Sequence, residues 1–81
     1  MKTFREHMQE WIAAFEDRGT MYMAELLQEM LNEGRDTQAD LEAEHAHWMH
    51  IRKTTRLYGT RHSEAWAKSD SIAEVLRWYN T

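Results

Sequence analysis

Glycines at positions 19, 34 and 59 are the only strong helix breakers in this chain of 81 residues, which has no proline. Between them Leu, Met, Ala, Glu, Gln and Arg are plentiful, all strong helix formers, and runs of β-branched residues are missing. Glycine accepts the left-handed backbone at a helix C-terminus, so each of the three marks a place where a helix is expected to stop. The pattern predicts an all-α fold: a compact three- or four-helix bundle built on an N-terminal antiparallel helical hairpin. Residues 1–81 read as a single α-helical domain, with no linker, low-complexity tract or internal repeat.

The first helix is expected over about residues 2–18. Thr3 and Glu6 form a T-x-x-E capping box, and at about 100° per residue Phe4, Met8, Trp11, Ile12 and Phe15 make one apolar stripe. Glu6, Glu10 and Asp17 lie opposite. A second helix is expected over about residues 21–33, with Thr20 as N-cap. Met23, Leu26, Leu27, Met30 and Leu31 share its inner face, and Glu25, Glu29 and Glu33 the outer one. The connection through Gly19 is too short to do anything except turn the second helix back beside the first.

The third helix is expected over about residues 37–58, capped by Asp36 or Thr37. Its stripe is thinner, Leu41, Trp48 and Ile51, with His45 and Thr55 alongside. In the last segment Ser71 and Glu74 read as a second capping box ahead of Ile72, Val75, Leu76 and Tyr79. This predicts a C-terminal helix over about residues 71–80. Trp66 does not align with the Ile72 stripe, which favours a break near Ser69–Asp70 and a short separate turn over residues 63–68.

A chain this size buries only about 60% of its unfolded surface, so its stability margin is thin unless disulfides, a metal or a partner chain add to it. Cysteine is absent, which excludes disulfides, thiolate metal sites and a cysteine nucleophile and fits a reducing compartment. The opening "MKTFREHMQEW" has charges among its apolar residues and lacks the continuous apolar core of a signal peptide. Nowhere do 18 apolar residues run together, as a spanning helix requires. A soluble, cytoplasmic protein without a membrane partner is expected.

The stretch "EAEHAHWMHIRKTTR", Glu42 to Arg56, holds three of the five histidines. Glu42/His45, Glu44/His47 and His47/His50 all have spacings that share a helix face. Glu42–His45 resembles the Glu-x-x-His half-motif of ferritin-like di-iron proteins, which implies further ligands from a neighbouring helix, here Glu25 or Glu29. Such a bundle supplies the motif on two helices, so a second copy of this chain would have to bring the other. Glu25 and Glu29 fall opposite the leucine stripe. The leading expectation is therefore no metal and no cofactor, with His45 flanking the core and His47 and His50 solvated; a metal-binding, ferritin-like oligomer is the alternative.

The net charge of −4 hides an asymmetry: residues 1–50 carry four Lys/Arg against eleven Asp/Glu, and residues 51–81 six against three. Arg52, Lys53, Arg56 and Arg61 are concentrated around Tyr58. Cations with an interleaved aromatic suit phosphate contact and base stacking, so a nucleic-acid-binding module using residues 52–61 is a further alternative. Cations at the end of a helix also complement its macrodipole. The acidic half, Glu6, Glu10 and Asp17 with Glu25, Glu29 and Glu33, presents the opposite potential along the hairpin, suited to a solvated face or to mimicry of nucleic-acid phosphates.

Four Trp, three Tyr and two Phe exceed what one small core absorbs. Trp11 and Trp48 fall at core phase; Trp66, Trp78 and one or two of Tyr22, Tyr58 and Tyr79 are hard to bury in the same core, and aromatic residues left at a surface are favoured interface anchors. Met21, Met23 and Met30 are expected to add adaptable apolar surface near the hairpin turn. No nucleophile elbow, phosphate-cradling loop or His-Glu-x-x-His is present, and Ser63, Ser69 and Ser71 sit where capping explains them, so no catalytic residue is expected and the chain does not read as an enzyme. The sequence points instead to a small regulatory or inhibitory protein, of the kind common in phages and mobile elements. It would bind a larger protein through Tyr58, Trp66 and Trp78 with Arg52, Lys53, Arg56 and Arg61. A second copy of the chain is the next partner expected, and nucleic acid ranks below it.

Overall fold

At the head of the first helix the Glu6 N–H donates to Thr3 Oγ1 at 3.2 Å, and the Thr3 N–H donates to Glu6 Oε1 at 3.1 Å. This reciprocal box satisfies two amides that a helix start leaves orphaned. The hydrogen bonds from Thr3 hold the Glu6 carboxyl below its ordinary range. The computed structural model describes all residues, Met1–Thr81. It contains four helices, α1 (Phe4–Asp17), α2 (Met21–Asn32), α3 (Gln38–Thr54) and α4 (Thr60–Asn80), and no strand. The fold is all-α, with α1 packed on α2 and α3 on α4.

Gly19 and Gly34 act as the sequence predicts, at φ +74° and +75°. The Thr20 N–H reaches the Phe15 carbonyl at 2.8 Å and the Gly19 N–H the Glu16 carbonyl at 3.0 Å. Arg35 to Met30 (2.8 Å) and Gly34 to Leu31 (3.1 Å) repeat the arrangement at the end of α2. Both are Schellman closures, in which a left-handed residue lets the chain bond the last carbonyls. Thr20 stands at the N-cap of α2, yet its side chain makes no cap hydrogen bond. Its amide is committed to closing α1, which leaves φ −90°, ψ 69°, outside the extended geometry that capping uses.

Gly59 departs from expectation. It adopts an extended conformation (φ −80°, ψ 156°) as the N-cap of α4, and the left-handed residue is its neighbour Tyr58, at φ 69°. A tyrosine there carries roughly 1–2 kcal/mol of steric strain. Part of what Tyr58→Gly relieves is offset by about 0.4–1 kcal/mol of extra chain entropy in the unfolded state. The variant is expected to melt a few degrees higher by circular dichroism; an equal or lower melting temperature would show that the loop holds no strain.

The chain divides into two units, Met1–Asp40 and Leu41–Thr81. In the first, α1 and α2 run antiparallel: Arg5, near the start of α1, donates to the Leu31 carbonyl at the end of α2 (3.5 Å) and to Asp36 Oδ2 (3.3 Å). Met8, Trp11, Ile12 and Phe15 of α1 and Met23, Ala24, Leu26, Leu27, Met30 and Leu31 of α2 are buried. Met23 and Met30 are thus core residues and not adaptable surface; their phase matches Leu26 and Leu27, and α1 covers that face. Met21 alone of the three is open, at 49% exposure.

At the unit boundary, α3 opens with a box in which the Asp40 N–H donates to Thr37 Oγ1 (3.1 Å) and the Thr37 N–H to Asp40 Oδ2 (3.2 Å). The helix stops at Thr54, short of the expected residue 58. Thr54 Oγ1 donates to the His50 carbonyl (2.9 Å) and Thr55 Oγ1 to the Ile51 carbonyl (2.7 Å). Hydroxyls that bond back into the preceding turn weaken a helix end.

The break expected at Ser69–Asp70 does not occur: α4 is one continuous helix, so residues 63–68 and 71–80 belong to the same element. Ser69 is buried, and its Oγ donates to the Trp66 carbonyl at 3.1 Å. Ala65, Ser69, Ile72 and Val75 are all buried, and their spacing of four, three and three traces one helix face. Small residues carry the first half of that stripe. Trp66, the large residue that suggested a break, lies off it.

Candidate functional site

Trp48 organises the second unit. Its indole Nε1–H donates to Glu44 Oε1 one turn back along α3, at 3.0 Å. From α4, Lys68 Nζ lies 4.4 Å and the Arg61 guanidinium carbon 5.6 Å from its ring centroid. Lys68 is itself paired with Glu64 at 2.9 Å, an i,i+4 bridge that holds the Glu64 carboxyl below its ordinary range. The second stack has the opposite sense: Arg52 of α3 sits 4.5 Å over the ring of Trp66 on α4. Cations over indole faces at these distances are attracted by about 0.5–2 kcal/mol each, according to their desolvation. Together with the Thr55–His62 contact at 3.3 Å, they join the two helices through large polar side chains.

The basic segment divides accordingly. Arg52, half-buried, and Arg61, still exposed, each lie over a tryptophan ring, and Lys53 and Arg56 are exposed. Between Arg56 and Gly59 the loop presents Leu57 and Tyr58, 61% and 93% exposed. Trp66 is 46% exposed even with Arg52 stacked on it. Leu57 is not among the expected binding residues, yet it is exposed beside Tyr58. Its signal was phase: nine residues beyond Trp48, it falls half a turn away from the α3 stripe.

Trp78 is exposed as well, at 41%, but is not part of the same patch. Twelve residues separate it from Trp66 on α4, which places it about 18 Å along the axis and a third of a turn around it. The expected binding residues are therefore exposed at three places: Tyr58 in the loop, beside Leu57 and Arg56; Trp66 of α4, under Arg52; and Trp78 at the far end of α4, beside Tyr79.

In the histidine stretch, His45 is half-buried and His47 and His50 are exposed. Glu44 is bonded to Trp48, and the His47 ring meets the Trp48 ring edge-on at 5.2 Å. Glu25 and Glu29 are exposed on α2, and no three His, Asp or Glu side chains converge on a point that would hold an ion.

The first unit has an acidic surface in which Glu6, Glu10, Asp17, Glu25, Glu29 and Glu33 are all exposed. Between α1 and α2 lies a shallow groove of about 180 Å³, lined by Ile12, Glu16, Met21, Ala24, Glu25 and Gln28. Apolar side chains supply three of the six linings, and two carboxylates flank them. No nucleophile with a neighbouring base is placed there. No known family model, curated protein or solved structure matches the chain, so these surfaces carry the functional argument alone. No helix is long and apolar enough to cross a membrane.

Proposed function

We propose that this chain is a small non-enzymatic protein that regulates or inhibits a larger protein in the cytoplasm by docking on it, in the manner of accessory proteins of phages and mobile elements. The observation that carries this reading is the presentation of Tyr58 by a left-handed backbone, almost wholly in solvent, next to exposed Leu57, while α4 leaves Trp66 half-exposed. A residue held at φ 69° has its direction of projection set by the loop, and strain of this kind persists where the surrounding structure enforces it. Tyr and Trp are the commonest interface anchors, and a rim of cations adds steering toward an acidic partner surface.

Nucleic acid is less favoured, because Arg52 is half-buried over the Trp66 ring and the net charge of the chain is −4, which repels phosphate. The test is affinity for the recovered target across a salt series. A protein partner gives a shallow salt dependence and a strong response to Tyr58→Ala. A slope that falls by about one for each cation removed, with Tyr58 indifferent, identifies phosphate contacts and rejects the proposal.

A further inference from the structure

We infer that the groove between α1 and α2 receives the Leu57–Tyr58 loop of a second copy of this chain, so that the protein self-associates head to tail. This rests on reading the Leu57–Tyr58 loop as a docking element and adds an occupant for the groove. Two features match. Residues 1–40, which form the groove, carry four Lys/Arg against nine Asp/Glu, a net of −5, while residues 52–61 carry four Lys/Arg and no acid. The groove is lined by apolar Ile12, Met21 and Ala24 together with the carboxylates of Glu16 and Glu25; along the sequence, Leu57 and Tyr58 are flanked by Arg56 and Arg61.

The sizes also agree. About 180 Å³ is the room of roughly six waters at ~30 Å³ each, enough for one large apolar side chain. Met21 at the groove edge is half exposed, and an unbranched thioether can re-pack around an incoming ring. Each copy owns one loop and one groove, so the contact joins unlike surfaces: it closes into a symmetric assembly or continues into a chain of copies.

Sedimentation of the full chain across a dilution series at low salt tests this, since the monomer mass is 9.8 kDa. The wild type is expected to reach at least twice that mass, and added salt, which shortens the Debye length, to drive it toward monomer. The charge-reversed pairs E16K/E25K and R56E/R61E should each remain monomeric and helical. E16K puts a cation in the last turn of α1 and R61E an acid in the first turn of α4, both favourable to the helix dipoles. R56E lies just beyond the end of α3 and is mildly unfavourable to its dipole, which circular dichroism of the variant reads directly. Mixed together, the two variants should form a complex that neither forms alone. A wild type that stays at monomer mass, or a mixture that does not associate, overturns the inference.

Docking on a target is tested separately, through binding of the E16K/E25K variant and of Tyr58→Ala to that target. If the wild type is monomeric and Tyr58→Ala loses the target, self-association fails and docking stands. If self-association needs Tyr58 and target binding does not, the reverse holds.

Discussion

Replacing Trp11 by alanine is expected to unfold the chain at ordinary temperature or bring it close to unfolding. The indole is 7% exposed, meets the Phe4 ring edge-on at 5.4 Å and stacks against His7 at 5.9 Å. Truncating a buried tryptophan removes its transfer free energy and leaves a cavity, together about 3–5 kcal/mol. For a chain this short the whole stability is about 4–12 kcal/mol at ~0.05–0.15 kcal/mol per residue. Each kcal/mol is worth roughly 4–8 °C of melting temperature at this size, so a fall of more than about 12 °C is expected. Gln9→Ala, on the exposed face of the same helix, should stay within about 0.5 kcal/mol of wild type. Thermal melts of the two variants decide it: equal melting temperatures would remove Trp11 from the core.

The second large effect concerns binding. Tyr58→Ala and Trp66→Ala are each expected to weaken the complex with the target by at least ~2 kcal/mol, about thirtyfold, as truncated aromatic anchors do. Neither should unfold the protein. Tyr58 lies outside the helices and is exposed, and alanine at position 66 is a better helix former than tryptophan. Arg56→Ala should act mainly on association rate and its salt dependence, as an exposed rim charge does. Trp78→Ala provides the internal comparison, because its ring belongs to the far end of α4. Its loss should matter less than that of Trp66 if docking uses the loop and the Arg52–Trp66 stack. Titration of all four variants against the recovered target, with circular dichroism to verify folding, reads the ranking directly. Critical arginines with indifferent aromatics would contradict a protein-docking surface.

The candidate surface was partly legible before the fold was known. Trp66 stood out because it joins no apolar stripe, Arg52, Lys53, Arg56 and Arg61 because of their density, and Tyr58 because it lies among them. Leu57 was legible by the same phase argument, since nine residues past Trp48 it falls half a turn off the α3 stripe. Sequence could not set the spacing of Trp78 from Trp66, because a break at Ser69–Asp70 would place the two on separate elements. Once the helix is continuous, its fixed rise of about 1.5 Å per residue sets the two tryptophans apart. Nor could it show which cations were engaged, since the stacks of Arg52 on Trp66 and of Lys68 on Trp48 join residues from different helices.

What the sequence by itself determined about this protein is local. Thr3 with Glu6, the left-handed turns at Gly19 and Gly34, and the stripes of α1 and α2 all follow from interactions within about four or five residues. Those are encoded as fixed spacings of particular side chains. Tertiary structure alone decided the rest. Ser69 and Ser71 have the chemistry of caps, yet burial of the Ala65–Ser69–Ile72–Val75 face carries the helix through them. Left-handed backbone fell to Tyr58 and not to Gly59, because α4 takes Gly59 as its extended N-cap and the turn must be made one residue earlier. Intrinsic preference at a single position is worth about 1 kcal/mol or less for most residues, whereas covering a helix face removes several apolar side chains from water at ~1.5–3 kcal/mol each. Where the two conflict, the packed face prevails.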